Sequence, residues 1–305
     1  MNFNTYNSVL IFGMGLIGSS IARVIKQKKI AKKIFAIDNN KSTINIAKDL
    51  KIVDEIYENL EDTSNQFDLI FICTPLSSYK NIFKKLNIFV QEPTLITDAG
   101  STKISVIKDF KSIINNKKIS FLPAHPIAGL EKSGPQHGFA ELFDNRYCIV
   151  TPINSDDKFI DSISNIWKSF GMMVEIMDGE RHDRVLAMTS HIPQLIAYSV
   201  VRTATDLETQ MKNEVIKYSA AGFRDFTRLA GSDPIMWRDI YDKNKDAVLE
   251  MLDRFSEDLL TFQKAIRNND LKFLEGEFLQ SKEIRGIIEK MGQAGSFDPT
   301  EKNKK

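Results

Sequence analysis

Gly13, Gly15 and Gly18 stand in the order G-x-G-x-x-G, as Gly13-Met14-Gly15-Leu16-Ile17-Gly18, directly after one apolar run and at the opening of an amphipathic one. That spacing suits a phosphate-binding turn. The first glycine permits a tight bend, the second lets the backbone approach a pyrophosphate, and the third lets helix and strand pack closely. With Leu16 and Ile17 the turn offers free N–H groups and the partial positive charge of a helix N-terminus. Asp38 ends the next apolar run, in FAIDNN, where the ribose hydroxyls of a dinucleotide should lie. A carboxylate there accepts two hydroxyl hydrogen bonds and repels a 2′-phosphate. Asn39 and Asn40 follow, with no cation before Lys41, so the pattern predicts NAD as cofactor in preference to NADP. Thr74-Pro75, after Cys73, ends another apolar run at the same edge. It offers a backbone contact to the dinucleotide, or Pro75 only starts the next helix.

Hydride removal from a carbon that bears a hydroxyl also needs a proton acceptor. The chain has 4 histidines, and His125 lies in FLPAHPIAG, just past a strand-like run and so at the expected cofactor edge. Pro123 and Pro126 stiffen its backbone. Imidazole accepts protons near neutral pH, which makes His125 the candidate base. Ser101, in DAGSTK with Lys103, follows another strand at that edge. It is expected to hydrogen-bond His125 or a substrate hydroxyl, to cap a helix beginning at Thr102, or both. His191, in MTSHIPQ, is expected mid-helix on a cleft-facing side, where core packing and substrate contact fit its spacing equally. His137 and His182 read as surface residues. No histidine clusters with cysteines or carboxylates at ligand spacing, so no metal is implied.

A third feature is a run of arginines. GFRDFTRLAGSDPIMWRDI sets Arg224, Arg228 and Arg238 among aromatics, with Gly222 and Gly231 breaking helices. A pre-positioned guanidinium binds carboxylates bidentately, so this segment suits a dianionic or dicarboxylate substrate. Ion pairs with Asp225 and Asp239 account better for Arg224 and Arg238 than for Arg228.

These residues require elements to hold them. Val9–Phe12, Ile34–Ile37, Leu69–Cys73, Leu95–Thr97, Ser120–Leu122 and Cys148–Thr151 read as strands, with helices such as Ile17–Lys28 and Lys41–Leu50 between them. Strand, helix and strand at this spacing predict an α/β Rossmann domain, a doubly wound and mainly parallel sheet, over residues 1–177. The strands do not alternate apolar with polar, as expected when helices cover both faces. From Asp178 the apolar residues follow helical spacing, for example Leu249, Leu252, Phe255, Leu259, Phe262 and Ile266. Residues 178–291 are therefore expected to form an all-α substrate and dimerisation domain, and Gly292 to Lys305 a disordered tail. So apolar a helical half predicts a homodimer built on those helices.

At 305 residues the chain can hold two cores. Lys+Arg 41 against Asp+Glu 40 leaves no field to gather a polyanion, which argues against nucleic acid. Lys26, Lys28 and Lys29 read as a solvated helix end. Cys73 and Cys148 make no disulfide framework and read as buried, inert thiols. Ser8 to Ile25 lacks a basic start and is broken by three glycines and Arg23, so it reads as neither signal nor membrane span. The cytoplasm is the expected compartment.

DAGSTK, PAHPIAG, the SHIPQ helix and the long arginine segment, in that order behind the glycine turn, resemble the prephenate/arogenate dehydrogenase family from about Val9 to Met291. The resemblance implies oxidation of the ring hydroxyl of prephenate or arogenate with NAD(P) and loss of the ring carboxylate as carbon dioxide, on the route to tyrosine. It implies that His125 meets the ring hydroxyl with Ser101 beside it. Arg228 then binds substrate carboxylate, and His191 makes a second polar contact. Glu131 matches an acidic residue of an ionic gate at the pocket mouth, with Asp225 a weaker candidate, and Trp237 a tryptophan near the pocket. Dimers of the family form through the helical half. Ala220-Ala221-Gly222 departs from the pattern, where relatives often carry more glycine.

Two other readings compete. β-Hydroxyacid dehydrogenases share the predicted architecture but depend on a lysine early in the helical domain, and Leu186 to Val201 contains none. An NAD-binding redox sensor would keep Gly13 to Gly18 and Asp38 without needing Ser101, His125 and Arg228 together.

Overall fold

Successive strand residues enter two different cores. In β1 (Tyr6–Phe12), Val9 and Ile11 join Leu69 and Phe71 on one side, while Leu10 and Phe12 join Ile70 and Ile72 on the other. With helices over both faces, a strand is stable without polar alternation. The structure, a computed structural model, describes residues 5–154, 159–206 and 209–291. After β1 come α1 (Leu16–Lys28), β2 (Ala31–Ile37), α2 (Lys41–Asp49), β3 (Glu55–Tyr57) and β4 (Leu69–Ile72). There follow α3 (Tyr79–Phe89), β5 (Thr94–Asp98), α4 (Ile104–Ile113) and β6 (Ile119–Leu122). Next are β7 (Ala124–Pro126), β8 (Tyr147–Val150), α5 (Ile160–Ser169) and β9 (Met173–Ile176).

Six strands form one parallel sheet in the order β3-β2-β1-β4-β5-β6. The order reverses between β1 and β4, and such a switch point opens a crevice at the strands' carboxyl ends. One core lies under α1 and α5, where the buried Trp167 meets Phe71 edge-on, with 5.8 Å between ring centroids. The other gathers Tyr79, Phe83 and Leu86 of α3.

A second sheet, β7-β8-β9, pairs antiparallel and then parallel. This corrects the sequence reading, which placed the Cys148 strand in the main sheet and passed over β3, β7 and β9. Strands of three or four residues carry too little pattern to read. His125, expected just past a strand, lies inside β7 opposite Ile149.

Beyond β9 the described residues are helical: α6 (Gly179–Leu186), a π-turn (Ala187–His191), α7 (Ile192–Thr205), α8 (Thr209–Lys217) and α9 (Ala221–Thr227). A 3₁₀ turn (Arg228–Gly231), α10 (Pro234–Lys243), α11 (Lys245–Arg267) and α12 (Leu271–Lys290) complete them. The chain forms two compact units, Met1–Val248 and Leu249–Lys305. The first extends past the sheet because its helices dock there: Trp237 and Ile240 of α10 enter the core beneath α3. In the second, Phe262 lies 6.3 Å from Phe273 and 6.1 Å from Phe278. The segment from Gly292, read as a tail, lies outside the described residues. No helix among the described residues is long and apolar enough to cross a membrane.

Candidate active site

The glycine turn occupies the switch point. Gly13 has φ 86, and a Cβ there would sit 2.8 Å from the Cys73 carbonyl oxygen and 2.9 Å from Thr74 Cγ2. Only glycine lets the turn close against the end of β4. A Cβ on Gly18 would fall 1.9 Å from the Gly13 carbonyl oxygen, whereas one on Gly15 meets nothing within 4 Å. Gly15 thus faces open space, as a backbone approached by pyrophosphate must. Gly15 is the N-cap of α1 and brings no side chain to its N–H groups, so the first turn through Leu16 and Ile17 is left for an anion. Asp38 follows β2, and its carboxylate accepts from the backbone N–H groups of Met14 at 2.8 Å and Asn40 at 2.9 Å. It therefore ties the glycine turn to the second strand while partly exposed. Asn40 caps α2 through the N–H groups of Ser42 and Thr43. Thr74 hydroxyl pairs with Ser78 at 2.6 Å, and Pro75 immediately precedes a 3₁₀ turn, Leu76–Ser78. These residues fit a dinucleotide.

A buried polar network stands at the carboxyl ends of β5 and β6. Asp98 and Lys103 are both fully buried, and Lys103 Nζ donates to the two Asp98 oxygens at 2.9 and 2.7 Å and to the Ala124 carbonyl at 2.7 Å. Asp98 also accepts from the N–H groups of Ala124 and Gly100 at 2.9 and 3.0 Å. The pair thereby fixes the residues that precede His125 and Ser101. His125 Nδ1 lies 2.9 Å from His182 Nε2, and His182 Nδ1 lies 2.8 Å from Asp183 Oδ1. Asp183 accepts from the Lys103 and Ile104 N–H groups at 2.7 and 3.0 Å, capping α4 from a distant helix. Burial, with His182, Lys103 and His191 alongside, holds His125 well below the usual imidazole range. Burial lowers His182 as well, against the opposing hydrogen bond to Asp183.

Two expectations change here. His182, read as a surface residue, is fully buried and is the partner of His125. Its setting in a charged run, GERHDR, hid this; the signal was the shared face with Leu186 one helical turn on. Ser101 does not cap a helix at Thr102, because α4 begins at Ile104, after Lys103, without a side-chain cap. His182 takes Nδ1 of His125, which leaves Nε2 of that ring for Ser101 or substrate. Asp98, Lys103 and Asp183 carry no role in the sequence reading because contact, not spacing, joins them to His125 and His182.

The helical segments complete the site. His191 ends the π-turn, almost wholly buried, with Nδ1 at 3.2 Å from Asn244 Nδ2. Asn244 also donates to the Asp183 carbonyl at 2.8 Å, which links His191 to the His125 cluster. Burial takes His191 down to about 4. Its ring stands edge-on to Trp237, 6.0 Å between centroids. His191 Nε2 and Trp237 Nε1 are buried without a hydrogen-bond partner among the described residues. Arg228 pairs with Glu131 through Nη1 and Oε1, both side chains partly exposed. Gln194 donates to the Leu229 carbonyl at 2.7 Å and so holds the turn that carries Arg228. Arg238 pairs with Asp239 as expected, but Arg224 donates to the Ser219 carbonyl instead of pairing with Asp225. Both cysteines are free thiols, Cys148 buried and Cys73 partly so. Among the described residues no three His, Cys, Asp or Glu side chains are grouped to hold a metal.

Residues 21–176 match the family model described as prephenate dehydrogenase, nucleotide-binding domain, and 178–280 the one described as prephenate dehydrogenase, dimerization domain. The chain belongs to the prephenate dehydrogenase family. Cyclohexadienyl dehydrogenase of Zymomonas mobilis is 34% identical over 92% of this chain and 95% of its own. Prephenate dehydrogenase of Bacillus subtilis is 31% identical over 92% and 75%. The crystal structure of prephenate dehydrogenase from A. aeolicus in complex with hydroxyphenyl propionate and NAD+ superposes with a TM-score of 0.86. It is 32% identical and covers 94% of this chain and 99% of that one. The boundary between the two matched domains of this prephenate dehydrogenase family member falls at the end of β9, whereas the compact unit runs on to Val248. Asp183 and Trp237, on the helical side of that boundary, explain the difference, since one caps α4 and the other enters a core of the sheet.

Proposed function

We propose that the chain catalyses NAD-dependent oxidative decarboxylation in tyrosine biosynthesis, converting prephenate to 4-hydroxyphenylpyruvate, arogenate to tyrosine, or both. One observation carries the assignment of chemistry. His125 is a buried imidazole with Nδ1 engaged, at the carboxyl edge of a sheet whose switch point bears the dinucleotide turn. Gly13, Gly15, Leu16, Ile17 and Gly18 hold the pyrophosphate, Asp38 the adenosine ribose, and Thr74 and Pro75 line the crevice. Bound NAD supplies the hydride acceptor.

His125 Nε2 takes the ring hydroxyl proton as hydride leaves the same carbon, giving a ketone conjugated through the ring. The bond to the quaternary carboxylate then breaks, its electrons enter the ring, carbon dioxide leaves, and the proton returns to the ring oxygen as a phenol. Ser101 lies beside the hydroxyl. Arg228 holds substrate carboxylate, exchanging its ion pair with Glu131 for one with substrate, and His191 and Trp237 offer their unpaired N–H positions to the same pocket.

Residues 1–177 act as the nucleotide domain and 178–291 as the substrate and dimerisation domain of a cytoplasmic homodimer. Support for the dimer comes from α12, which buries no residue and leaves Phe278, Leu279, Ile284 and Ile287 exposed. The test of chemistry is His125→Asn. Turnover with prephenate or arogenate, followed by NADH absorbance, should fall by a factor of about a hundred to ten thousand with NAD affinity near normal. Near-full turnover would move the proton acceptor elsewhere, with His191 next in line.

A further inference from the structure

We infer that His182 and Asp183 form a relay behind His125, which sets the ring nitrogen that carries its proton and takes up the charge it gains. The inference rests on reading His125 as the proton acceptor. Its three members are joined in series: 2.9 Å from His125 Nδ1 to His182 Nε2, then 2.8 Å from His182 Nδ1 to Asp183 Oδ1. All three are buried.

Hydrogen-bond polarity dictates the rest. A carboxylate only accepts, and Asp183 already accepts from two backbone N–H groups of the loop and helix around Lys103. Nδ1 of His182 therefore carries a hydrogen. Nε2 of neutral His182 is then an acceptor, and the hydrogen between the rings belongs to His125 Nδ1. That leaves His125 Nε2 bare, the state a proton acceptor needs. A single histidine beside solvent would populate both tautomers.

The same line disperses charge. When Nε2 receives the hydroxyl proton, His125 can pass its Nδ1 proton to His182 Nε2. The positive charge then sits on His182 against Asp183, and neutral His125 keeps the incoming proton on Nε2. Return of the proton to the ring oxygen reverses both transfers, so the relay ends as it began. The charged and titratable groups that face the pair are Lys103 and Asp98, bound to each other, with Asp183 and His191. Capping of α4 explains Asp183 alone; it gives no reason for a second histidine between that cap and His125.

Ring-nitrogen NMR of isotope-labelled protein tests this without recourse to turnover, the His125 signals being assigned by their loss in His125→Asn. At neutral pH wild-type His125 should carry its proton on Nδ1 and none on Nε2. His182→Leu should mix the tautomers and lower kcat by about tenfold or more, with KM for substrate and affinity for NAD within about threefold. His182→Gln, whose carbonyl oxygen can accept from Nδ1–H, should restore the tautomer and part of kcat. Asp183→Asn can donate to His182 and reverse the chain, placing the proton on Nε2 and lowering kcat by about a thousandfold. A proton on Nε2 in wild type overturns the relay, as does an unchanged tautomer and pH–rate profile in His182→Leu. The wild-type spectrum, assigned with His125→Asn, decides even if the His182 and Asp183 variants fail to fold. Retained turnover in His125→Asn would overturn the proton-acceptor reading alone, because the wild-type tautomer still reports the relay.

Discussion

Two ion pairs of the site are of opposite character. Lys103–Asp98 is wholly buried, and backbone partners with the Tyr79 hydroxyl take up its remaining hydrogen-bonding capacity, so it behaves as part of the scaffold. Arg228–Glu131 leaves 51% of the arginine side chain and 32% of the glutamate exposed, on a turn and a loop. A buried pair cannot lose one member without stranding the other in a low-dielectric interior. An exposed pair gains little from its partner and can give it up to another anion. The difference separates what positions His125 from what exchanges with substrate.

The largest effect should come from breaking the scaffold pair. Lys103→Met strands Asp98 and should cost about 3–5 kcal/mol of stability, read from the midpoint of urea unfolding. A loss below about 1 kcal/mol would erase the contrast between the pairs. Burial also makes this region sensitive to acid. An unfolded histidine binds its proton near 6.5, whereas His191 does so in the fold only at about 4. Between those values the unfolded chain holds more protons, so stability is full above about 6.5 and falls as pH drops. The loss from His191 should approach about 3 kcal/mol, with His125 and His182 acting in the same direction. Thermal midpoints between those pH values should show the slope, and His191→Gln should flatten it.

Smaller effects belong to the exchangeable side. Arg228→Ala should raise KM for substrate by about thirtyfold, roughly 2 kcal/mol, with NAD binding and fold intact. Lysine there should recover only part, since it keeps charge without the bidentate fork. Unfolding with unchanged substrate affinity would make Arg228 structural and pass its role to Arg224 or Arg238. Asp38 should favour NAD over NADP by about tenfold or more, about 1.4 kcal/mol, and Asp38→Ser with Asn39→Arg should reverse the preference. Equal kcat/KM with both cofactors in wild type would remove the ribose role of Asp38. Glu131→Gln should shift stability by less than about 1 kcal/mol. A shift as large as that of Lys103→Met would mean that the two pairs are of one kind.

What could be read in advance was whatever the chain states locally. The glycine turn, Asp38 and the apolar strands are each contained within a few consecutive residues. Their backbone requirements follow from residue type alone: positive φ at Gly13, no Cβ at Gly18, burial on both faces of β1. The motifs around His125 and Arg228 were equally visible, as stiff or arginine-rich segments. Their partners were not. His182 is 57 residues from His125 and Asp183 is 80 from Lys103, and nothing in a charged helix start announces burial. The pairing of β7 with β8 was likewise decided by packing, because three residues hold too little periodicity to specify a strand. Sequence determined which groups could do the chemistry, since that depends on side-chain type and local backbone. Only the tertiary structure decided which of them are buried together, because hydrogen-bond polarity and desolvation depend on neighbours that the chain brings in from far along its length.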